Sequence, residues 1–554
     1  MDGTTQDRLQ NGDEARSKPG FFDRENTVAG PNFNRWLVPT AALAIHLCIG
    51  MAYGFSVFWL PMANLVTTAD PVACADIGIL QAMTTTSCNW AVSHVTYTFG
   101  IFIAMLGISA AVWGAWLEHA GPRKAGAIAA VCWGGGMILG GVGVMTHQLW
   151  LLYLGCGVLG GIGQGLGYIT PVSTLIKWFP DRRGMATGFA IMGYGGGAMV
   201  GAPLAVWLMG YFSADGGKGV ASTLMVMGVI YFFVMMAGAL GFRVPPNGWK
   251  PTGWESPQGK QANAMITHGH VHLSKAWKTH QFWMIWSVLF LNVTAGIAVI
   301  SMASPMLQDV FGGALVGIKD SAVALTAAQK TAVVAAAAGL VGLISLFNSV
   351  GRLFWASLSD KLGRKNTYLV FFVLGIAMYC LLPTWGHLGM AGMFVISICV
   401  ILSMYGGGFA TVPAYLADIF GTQMVGAIHG RLLTAWTAAG LIGPVIIALI
   451  REVQLEAGIE PALVYDRTLY IMAGLLVVGL ICNSLIKPVD HSLHMTDEEL
   501  EGERRLQRDS GVSSHAQTAA RGAFGITGVL AWMAVGIPFL IGLYIALAKA
   551  AALF

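Results

Sequence analysis

The chain has 554 residues, of which 55% are hydrophobic and 10% are charged, whereas soluble globular domains carry about 25% charged residues. It holds 31 Lys and Arg against 27 Asp and Glu, a net charge of +4. This composition excludes a soluble globular protein, gives no indication of nucleic-acid binding, and is typical of an α-helical membrane protein.

The chain begins with a polar segment and continues as a series of apolar runs. Residues 1–34 have mixed charge and lack the basic-then-apolar order of a cleavable signal peptide, so we predict a disordered, uncleaved cytoplasmic tail. Each later run is long enough to cross about 30 Å of hydrocarbon as a helix. We predict thirteen spans near 35–62, 93–116, 125–146, 149–176, 184–212, 219–242, 281–305, 331–357, 366–386, 389–416, 425–450, 468–488 and 523–548.

The Lys and Arg residues predict the orientation of these spans. With the amino terminus in the cytoplasm, 24 of the 31 basic residues lie on the cytoplasmic side, six lie outside, and Arg352 lies within a span. Such a bias is what the positive-inside rule requires. We therefore expect a multi-pass protein of the bacterial inner membrane, with its amino terminus inside and its carboxyl terminus outside.

The loop between the first two spans contains two cysteines, Cys74 and Cys88, and this topology places it outside. In a Gram-negative cell that compartment is oxidising, which permits a disulfide. The pair forms either a disulfide or two free thiols.

A sequence repeat divides the chain into two halves. WGAWLEHAGPRK (113–124) follows the second span and WASLSDKLGRK (355–365) follows the eighth, 242 residues later. The predicted organisation consists of the tail, two six-helix bundles, two cytoplasmic linkers and an additional span, at 1–34, 35–242, 243–280, 281–488, 489–522 and 523–548.

The glycine-rich stretch GCGVLGGIGQGLGY (155–168) has spacings that mimic a dinucleotide-binding loop. A genuine loop of that kind follows a strand and opens a helix in a soluble βαβ unit. Because this stretch lies inside a span, close packing between helices is the better interpretation.

The doubled acid-x-x-G-x-basic signature resembles that of the major facilitator superfamily. KWFPDRRGMATGFAIMGYGGG (177–197), GRLFWASLSDKLGR (351–364) and ADIFGT (417–422) are further similar to the oxalate/formate antiporter family. The resemblance implies an all-α fold of two six-helix bundles, each with inverted 3+3 repeats, around a central substrate site. It also implies a conformational gate at Glu118, Gly121, Arg123, Asp360, Gly363 and Arg364. The last span resembles a single-span small subunit of such transporters.

Arg352 is the least expected charge in the sequence. It precedes Asp360 by eight residues, which places it about 12 Å inside the membrane, where a charge costs at least about 2.5 kcal/mol unless it has a partner or a cavity. The spans offer no internal carboxylate to pair with it. We interpret the missing counter-ion as a small carboxylate substrate, and in the resembled family the corresponding arginine is a substrate ligand. The alternative is an arginine that reaches toward the cytoplasm or pairs with backbone carbonyls.

Other candidate substrate ligands follow from the resemblance or from spacing. Tyr168, Tyr53, Tyr405 and Phe409 match aromatic positions of the family, with packing as the alternative role. Asn348 lies one turn before Arg352 and could orient its guanidinium. His46, the only histidine predicted deep inside a span, is a candidate proton site or a buried ring.

Trp436 departs from the family pattern, because it stands where the oxalate carrier has a lysine. Arg431 lies five residues earlier, about 7.5 Å nearer the cytoplasm, and is a poor replacement. One fixed positive charge favours a monocarboxylate such as lactate, pyruvate or formate. We therefore predict a secondary transporter in the lipid bilayer, with an oxalate exchanger or a non-transporting carboxylate receptor as alternatives. Its expected partners are the carboxylate and either protons or a second anion, and we expect no enzymatic activity, cofactor, metal or nucleic acid.

Overall fold

The computed structural model describes residues 20–66, 77–213, 219–246, 248–255, 265–318, 325–460, 462–508 and 525–550. Within these ranges, thirteen helices are long and apolar enough to cross a membrane. The β-structure in the same ranges consists of two isolated bridges. The prediction of an all-helical protein with thirteen spans is confirmed.

The spanning helices are numbered α1 to α13 in chain order. The first half contains Arg35–Met62 (α1), Val92–Ala120 (α2), Pro122–Met145 (α3), Leu149–Trp178 (α4), Arg183–Phe212 (α5) and Val220–Gly241 (α6). The second half contains His280–Leu315 (α7), Ala327–Leu362 (α8), Arg364–His387 (α9), Ala391–Phe420 (α10), Val425–Glu456 (α11) and Asp466–Leu485 (α12). The additional helix is Gly525–Ala548 (α13).

Glycines allow the helices within the first half to approach closely. A Cβ atom added to Gly136 on α3 would lie 2.6 Å from the carbonyl oxygen of Gly155 on α4. A Cβ atom added to Gly134 would lie 2.7 Å from the carbonyl oxygen of Gly228 on α6. Small residues permit backbone contact of this kind in membranes, so the glycine-rich stretch of α4 is a packing element, as predicted.

The two halves meet along two helix pairs, called here the α2–α11 interface and the α5–α8 interface. Gly188 on α5 lies against the backbone of Arg352 on α8, and a Cβ atom added to Gly188 would lie 2.9 Å from the Arg352 carbonyl oxygen. On α2, Gly114 faces the backbone of Ala427 in the same way, at 3.0 Å. Both interfaces therefore place a backbone of one half directly on a backbone of the other.

The side on which the first described residues lie is called the inner side, because the Lys and Arg distribution predicts that it is cytoplasmic. Part of the predicted disordered tail is ordered here. Residues 24–27 form a short 3₁₀-helix, and Val28 bridges to Val244 after α6. The Phe21 carbonyl accepts a hydrogen bond from Arg123 at 2.8 Å. The tail prediction is therefore wrong for residues 20–34, which pack on the bundle, while residues 1–19 lie outside the described ranges.

The segment between α12 and α13 includes a helix, Asp497–Arg508, on the inner side. Glu499 on this helix pairs with Lys275 before α7 at 3.2 Å. Glu503 lies 3.4 Å from the His119 ring at the end of α2 and 3.3 Å from the His272 ring. The helix therefore contacts the end of α2 and the segment that leads into α7.

Cys88 is disulfide-bonded, and its predicted partner, Cys74, lies outside the described residues. Six further cysteines are free, namely Cys48, Cys132, Cys156, Cys380, Cys399 and Cys482. The pairing of Cys88 with Cys74 stays a prediction.

Candidate functional site

Arg352 lies on α8 at the centre of the contact between the halves and is 1% exposed. Its Nε donates to the Asn348 side-chain oxygen at 3.0 Å, and Nη1 donates to the Ile191 carbonyl on α5 at 3.4 Å. Within the described residues Nη2 has no hydrogen-bond partner. The guanidinium is held by one amide and one backbone carbonyl, and none of these hydrogen-bond partners is a carboxylate.

Two aromatic rings, one from each half, flank this guanidinium. Its Cζ lies 5.4 Å from the ring centre of Tyr194 on α5 and 5.4 Å from that of Phe409 on α10. Cation–π contacts at this distance stabilise a buried positive charge by roughly 0.5–2 kcal/mol. The rings keep the charge in place without neutralising it.

Tyr168 and Trp436 extend this aromatic group. The Trp436 ring lies 4.9 Å from Phe409, 5.4 Å from Tyr168 and 5.5 Å from Tyr194. The Tyr168 hydroxyl interacts electrostatically with Arg352 and has no hydrogen bond of normal geometry within the described residues. Arg352 Nη2 and the Tyr168 hydroxyl therefore both retain donor capacity within this cluster.

Tyr53 on α1 and Tyr405 on α10 connect the two halves next to the aromatic cluster around Arg352. Their hydroxyl oxygens are 3.1 Å apart, and the Tyr53 ring packs 5.1 Å from Tyr194. Tyr53 lies in a 3₁₀ stretch of α1, Gly50–Phe58, where a change in helix type often marks a functional bend. All seven predicted substrate-binding residues thus belong to one connected cluster, which the sequence placed on five different helices.

The histidines differ partly from expectation. His46 is fully buried, with its ring 5.3 Å from Tyr168 and 6.5 Å from Tyr194. However, His429 on α11 is also buried, at 1% exposure, and its ring lies 5.9 Å from Tyr168. The expectation that His46 is the only histidine deep in the protein is wrong, because the inner end of α11 is covered by α2 and α4 and not by solvent.

Two further members of the cluster were missed from the sequence. Tyr194 contacts Arg352 and the rings of Tyr53, Tyr168, Trp436 and His46. Gln164 on α4 is fully buried one turn before Tyr168. A signal for Tyr194 existed, since it precedes Trp436 by the repeat distance of 242 residues. Gln164 was a polar side chain within a glycine-rich apolar span, which is itself unusual.

The predicted gate residues of the second half belong to a continuous ionic network on the inner side. Asp360 at the end of α8 accepts hydrogen bonds from the backbone amides of Gly184 and Met185 on α5, both at 2.9 Å. Arg364 pairs with Asp360 at 2.6 Å and with Asp418 on α10 at 3.1 Å. Asp418 in turn binds Arg183 of the first half at 2.9 Å. The network ties α8 and α10 to the start of α5.

The predicted gate residue Glu118 of the first half makes a related but different contact. Glu118 at the end of α2 accepts a hydrogen bond from the backbone amide of Gly426 at the start of α11, at 2.9 Å. It also pairs with Lys177 and accepts from Ser173 at 3.1 Å. Both acids therefore cap the amino-terminal end of a helix in the opposite half, where a negative charge is favourable.

The remaining predicted gate residues lie at the two connecting turns. Gly121 and Gly363 have φ of 83° and 82°, a conformation that favours glycine. Arg123 packs against Phe21, and its Cζ atom lies 5.0 Å from the centre of the Phe21 ring. The two turns thus share their backbone conformation, but only in the second turn does the arginine bind the two acids that reach across to α5.

Near this network, burial together with the charges of Arg504 and Arg183 lowers the pKa of His270 to about 4. His270 is therefore neutral near pH 7.

The site offers one fixed positive charge, several hydroxyl groups and an aromatic wall, all buried where the two halves meet. Within the described residues there is no group of three or more His, Cys, Asp or Glu side chains placed to hold a metal ion. Such a site can bind a small anion through a charge-assisted hydrogen bond.

A family model described as Major Facilitator Superfamily matches residues 42–444 and 317–553. Among curated proteins, the chain is 28% identical to an oxalate:formate antiporter of Oxalobacter formigenes over 335 residues, covering 60% of this chain and 69% of that protein. It is 23% identical to apicoplast pyruvate carrier 1 of Toxoplasma gondii over 456 residues, covering 72% of this chain and 80% of the carrier.

The fold is similar to that of a solved transporter. A proton:xylose symporter bound to 6-bromo-6-deoxy-D-glucose superposes with a TM-score of 0.55 at 14% identity, covering 84% of this chain and 98% of that one. At this identity the likeness concerns the fold alone.

Proposed function

The chain belongs to the Major Facilitator Superfamily, a family of membrane transporters, and from this premise we propose that it is a secondary transporter of small monocarboxylates that works by alternating access. In transporters built from two such bundles, the substrate site lies between the halves and is exposed to one side at a time. The cluster around Arg352 has that position. Ionic contacts close it on the inner side.

The observation that carries the proposal is the state of Arg352. A buried arginine normally has an acidic partner, because an unpaired charge in the membrane is costly. Here the hydrogen-bond acceptors are Asn348 and Ile191, and Nη2 keeps its donor capacity. A carboxylate would supply the missing charge and could also accept from the Tyr168 hydroxyl.

Selectivity for one carboxylate follows from Trp436. The indole packs against Tyr168, Tyr194 and Phe409, so the wall facing the guanidinium is apolar. A second carboxylate would be buried there without a partner, at a cost of several kcal/mol. We therefore favour lactate-like or pyruvate-like anions, in line with the similarity to the pyruvate carrier. Oxalate exchange is the second candidate, in line with the similarity to the oxalate:formate antiporter.

The experiment is a counterflow screen in proteoliposomes. Vesicles are preloaded with one unlabelled anion at a time, and uptake of labelled pyruvate is followed with and without a pH gradient. We expect lactate and pyruvate to drive uptake better than oxalate, and Arg352→Ala protein to be inactive. Arg467→Ala, an exposed arginine at the start of α12, is the matched control.

Other outcomes separate the alternatives. Uptake driven best by oxalate supports the exchanger, and binding of pyruvate without flux supports a receptor. Uptake that responds to the pH gradient supports proton coupling, for which His46 and His429 are the buried candidates, whereas exchange of two anions requires no proton site in the protein. No response to any carboxylate by folded protein would refute the proposal.

We further propose that the inner side faces the cytoplasm of a bacterial cell and that the carboxyl terminus lies outside. The Lys and Arg distribution supports the orientation. The contacts of α13 support the position of its end: Trp532 lies beside Trp36 at the inner side, and Ala546 lies beside Gly342 farther out. A carboxyl-terminal alkaline phosphatase fusion should be active in cells, and an inactive phosphatase would contradict this topology.

A further inference from the structure

The additional helix α13 has one face that packs on the bundle and another that faces lipid. Its packing face repeats every three or four residues, and it consists of Gly528, Trp532, Val535, Phe539, Gly542 and Ala546. Leu540, Ile541 and Tyr544 on the other face are 61%, 55% and 73% exposed. Alternating steps of three and four are typical of a helix that follows a partner along its whole length.

Three levels of α13 contact the first half. At the inner side, the Trp532 indole N–H donates to the Trp36 carbonyl at 3.2 Å, and its ring lies 5.9 Å from Phe189. In the middle, the Phe539 ring covers Gly196 on α5, where a side chain would collide with it. Farther out, a Cβ added to Gly542 would lie 2.9 Å from the Met199 carbonyl oxygen. Helix α13 therefore follows α5 closely.

The outer part of α13 also contacts the second half. A Cβ added to Gly342 on α8 would lie 3.3 Å from the Ala546 carbonyl oxygen and 3.7 Å from its Cα. Helix α13 thus lies across the α5–α8 interface, with one partner in each half. A contact between two bodies that move relative to each other exists in some conformations and not in others.

The middle contact lies directly behind the candidate site. Gly196, covered by Phe539, follows Gly195, whose added Cβ would lie 3.0 Å from Arg352 Nε. At this point α5 is a run of three glycines between α13 on one side and α8 on the other. A shift of α13 would therefore move Gly196, and the adjacent Gly195 contacts the Arg352 guanidinium.

We propose that the α5–α8 interface is a docking surface for a single transmembrane helix, and that α13, docked there, stabilises the conformation closed on the inner side. The physical reason is differential contact: a helix that touches both halves in one conformation, and loses the α8 contact in another, shifts the equilibrium toward the first. The inference needs the two halves to rearrange, as in the proposed transport cycle. It does not depend on the identity of the substrate.

The first test compares two glycines on the same helix in the full-length chain. Gly542→Leu should push α13 away from Met199, whereas Gly536→Leu is the control, since nothing lies within 4 Å of an added Cβ there. Spin labels at Lys124 and Lys361, on the inner ends of the two halves, report their separation. We expect the population with separated inner ends to rise at least threefold in Gly542→Leu and to stay unchanged in Gly536→Leu. Equal distance distributions in both variants and wild type would overturn the proposal.

A second measurement asks whether docking persists without the covalent link. A protease site is inserted within residues 509–522 of the full chain, and the purified protein is cut afterwards. The α13 fragment should remain bound to the cut wild-type and Gly536→Leu proteins and should dissociate from Gly542→Leu. Dissociation from cut wild type would mean that the interface is not a docking surface. Because neither readout uses a substrate, failure of the carboxylate screen leaves both results interpretable.

Discussion

The α2–α11 and α5–α8 interfaces repeat one plan at a distance of 242 residues. Gly430 packs on the Ala110 carbonyl as Gly188 packs on the Arg352 carbonyl. Glu118 caps the start of α11, and Asp360 caps the start of α5. At the centre the two interfaces differ, because α2 has Ala110 at the position where α8 has Arg352. A symmetric scaffold therefore carries an asymmetric charge, and under the proposed function this charge gives a single anionic group one place to bind.

The next step along each interface differs too. Thr187 on α5 donates to the Ala410 carbonyl at 2.7 Å. The corresponding residue on α11 is His429, which faces the ring of Tyr168. At this step the α5–α8 interface has a small side chain that donates one hydrogen bond, whereas the α2–α11 interface places the rings of His429 and Tyr168 next to the site. The Trp436 indole belongs to the α2–α11 interface, which lacks the charge, whereas Tyr194 belongs to the α5–α8 interface, which carries it.

The largest expected effect comes from removing the charge that distinguishes the copies. We expect Arg352→Ala to lower pyruvate counterflow by more than about 100-fold, because a charge-assisted hydrogen bond to a buried carboxylate and its ion pairing together exceed about 3 kcal/mol. Arg352→Lys should recover only part of the loss, since an ammonium lacks the planar fork. Arg467→Ala should transport like wild type.

A transposed charge tests the comparison itself. Ala110→Arg combined with Arg352→Ala should stay inactive, because Ala110 is 0% exposed and a guanidinium introduced there would have to displace packed neighbours. Recovery of transport by this double variant would mean that the two interfaces are interchangeable. Near-normal counterflow by Arg352→Ala alone, at matched expression, would refute the role proposed for the arginine.

The two acid caps should differ in strength. Asp360 accepts two backbone amides and joins Arg364, Asp418 and Arg183, whereas Glu118 accepts one backbone amide together with Ser173 and Lys177. We expect Asp360→Asn to raise the population with separated inner ends about tenfold and Glu118→Gln about threefold, since hydrogen bonds to charged groups contribute roughly 1.5–3 kcal/mol. Spin-label distances between Lys124 and Lys361 measure both. A larger effect of Glu118→Gln would contradict the ranking.

Much of this architecture could be predicted from the sequence, because its signals are local. Apolar runs predicted all thirteen spans, and the doubled motif after α2 and α8 predicted the two halves. The position of Arg352 inside a spanning helix followed from its distance to Asp360 alone. These features depend on residues close together in the chain, where helix geometry converts spacing into distance.

The remaining features depend on contacts between distant segments. His429 was not recognised as buried, because its cover comes from α2 and α4. Residues 20–34 look disordered by composition, yet Phe21 finds a partner in Arg123. Nothing in the sequence of α13 indicates that its Phe539 lies over Gly196. Contacts between distant segments leave no periodic pattern in the sequence from which they could be predicted.

A smaller effect should follow from charging the aromatic wall. Trp436→Lys places a second cation in the copy that has none, so a dianion gains a partner for its second carboxylate. We expect the ratio of oxalate to pyruvate competition to rise at least about fivefold, a modest part of what one charge-assisted hydrogen bond contributes, even if total activity falls. Trp436→Phe, which keeps an apolar ring, is the control and should leave the ratio unchanged. An unaltered ranking in the lysine variant would mean that Trp436 does not set charge selectivity.

The smallest expected effect compares two hydroxyls at the same step of the two interfaces. Thr437 on α11 donates across the interface to the Ile103 carbonyl of α2 at 3.0 Å, whereas Ser349 on α8 donates within its own helix to Ser345 at 2.8 Å. Thr437→Val keeps the shape and removes a hydrogen bond between the halves, worth about 1 kcal/mol. We therefore expect a two- to fivefold rise in the population with separated inner ends, and less than a twofold change for Ser349→Ala. Spin-label distances at Lys124 and Lys361 report both. Equal effects of the two variants would mean that the hydroxyls act through local helix stability, since only the threonine connects the halves.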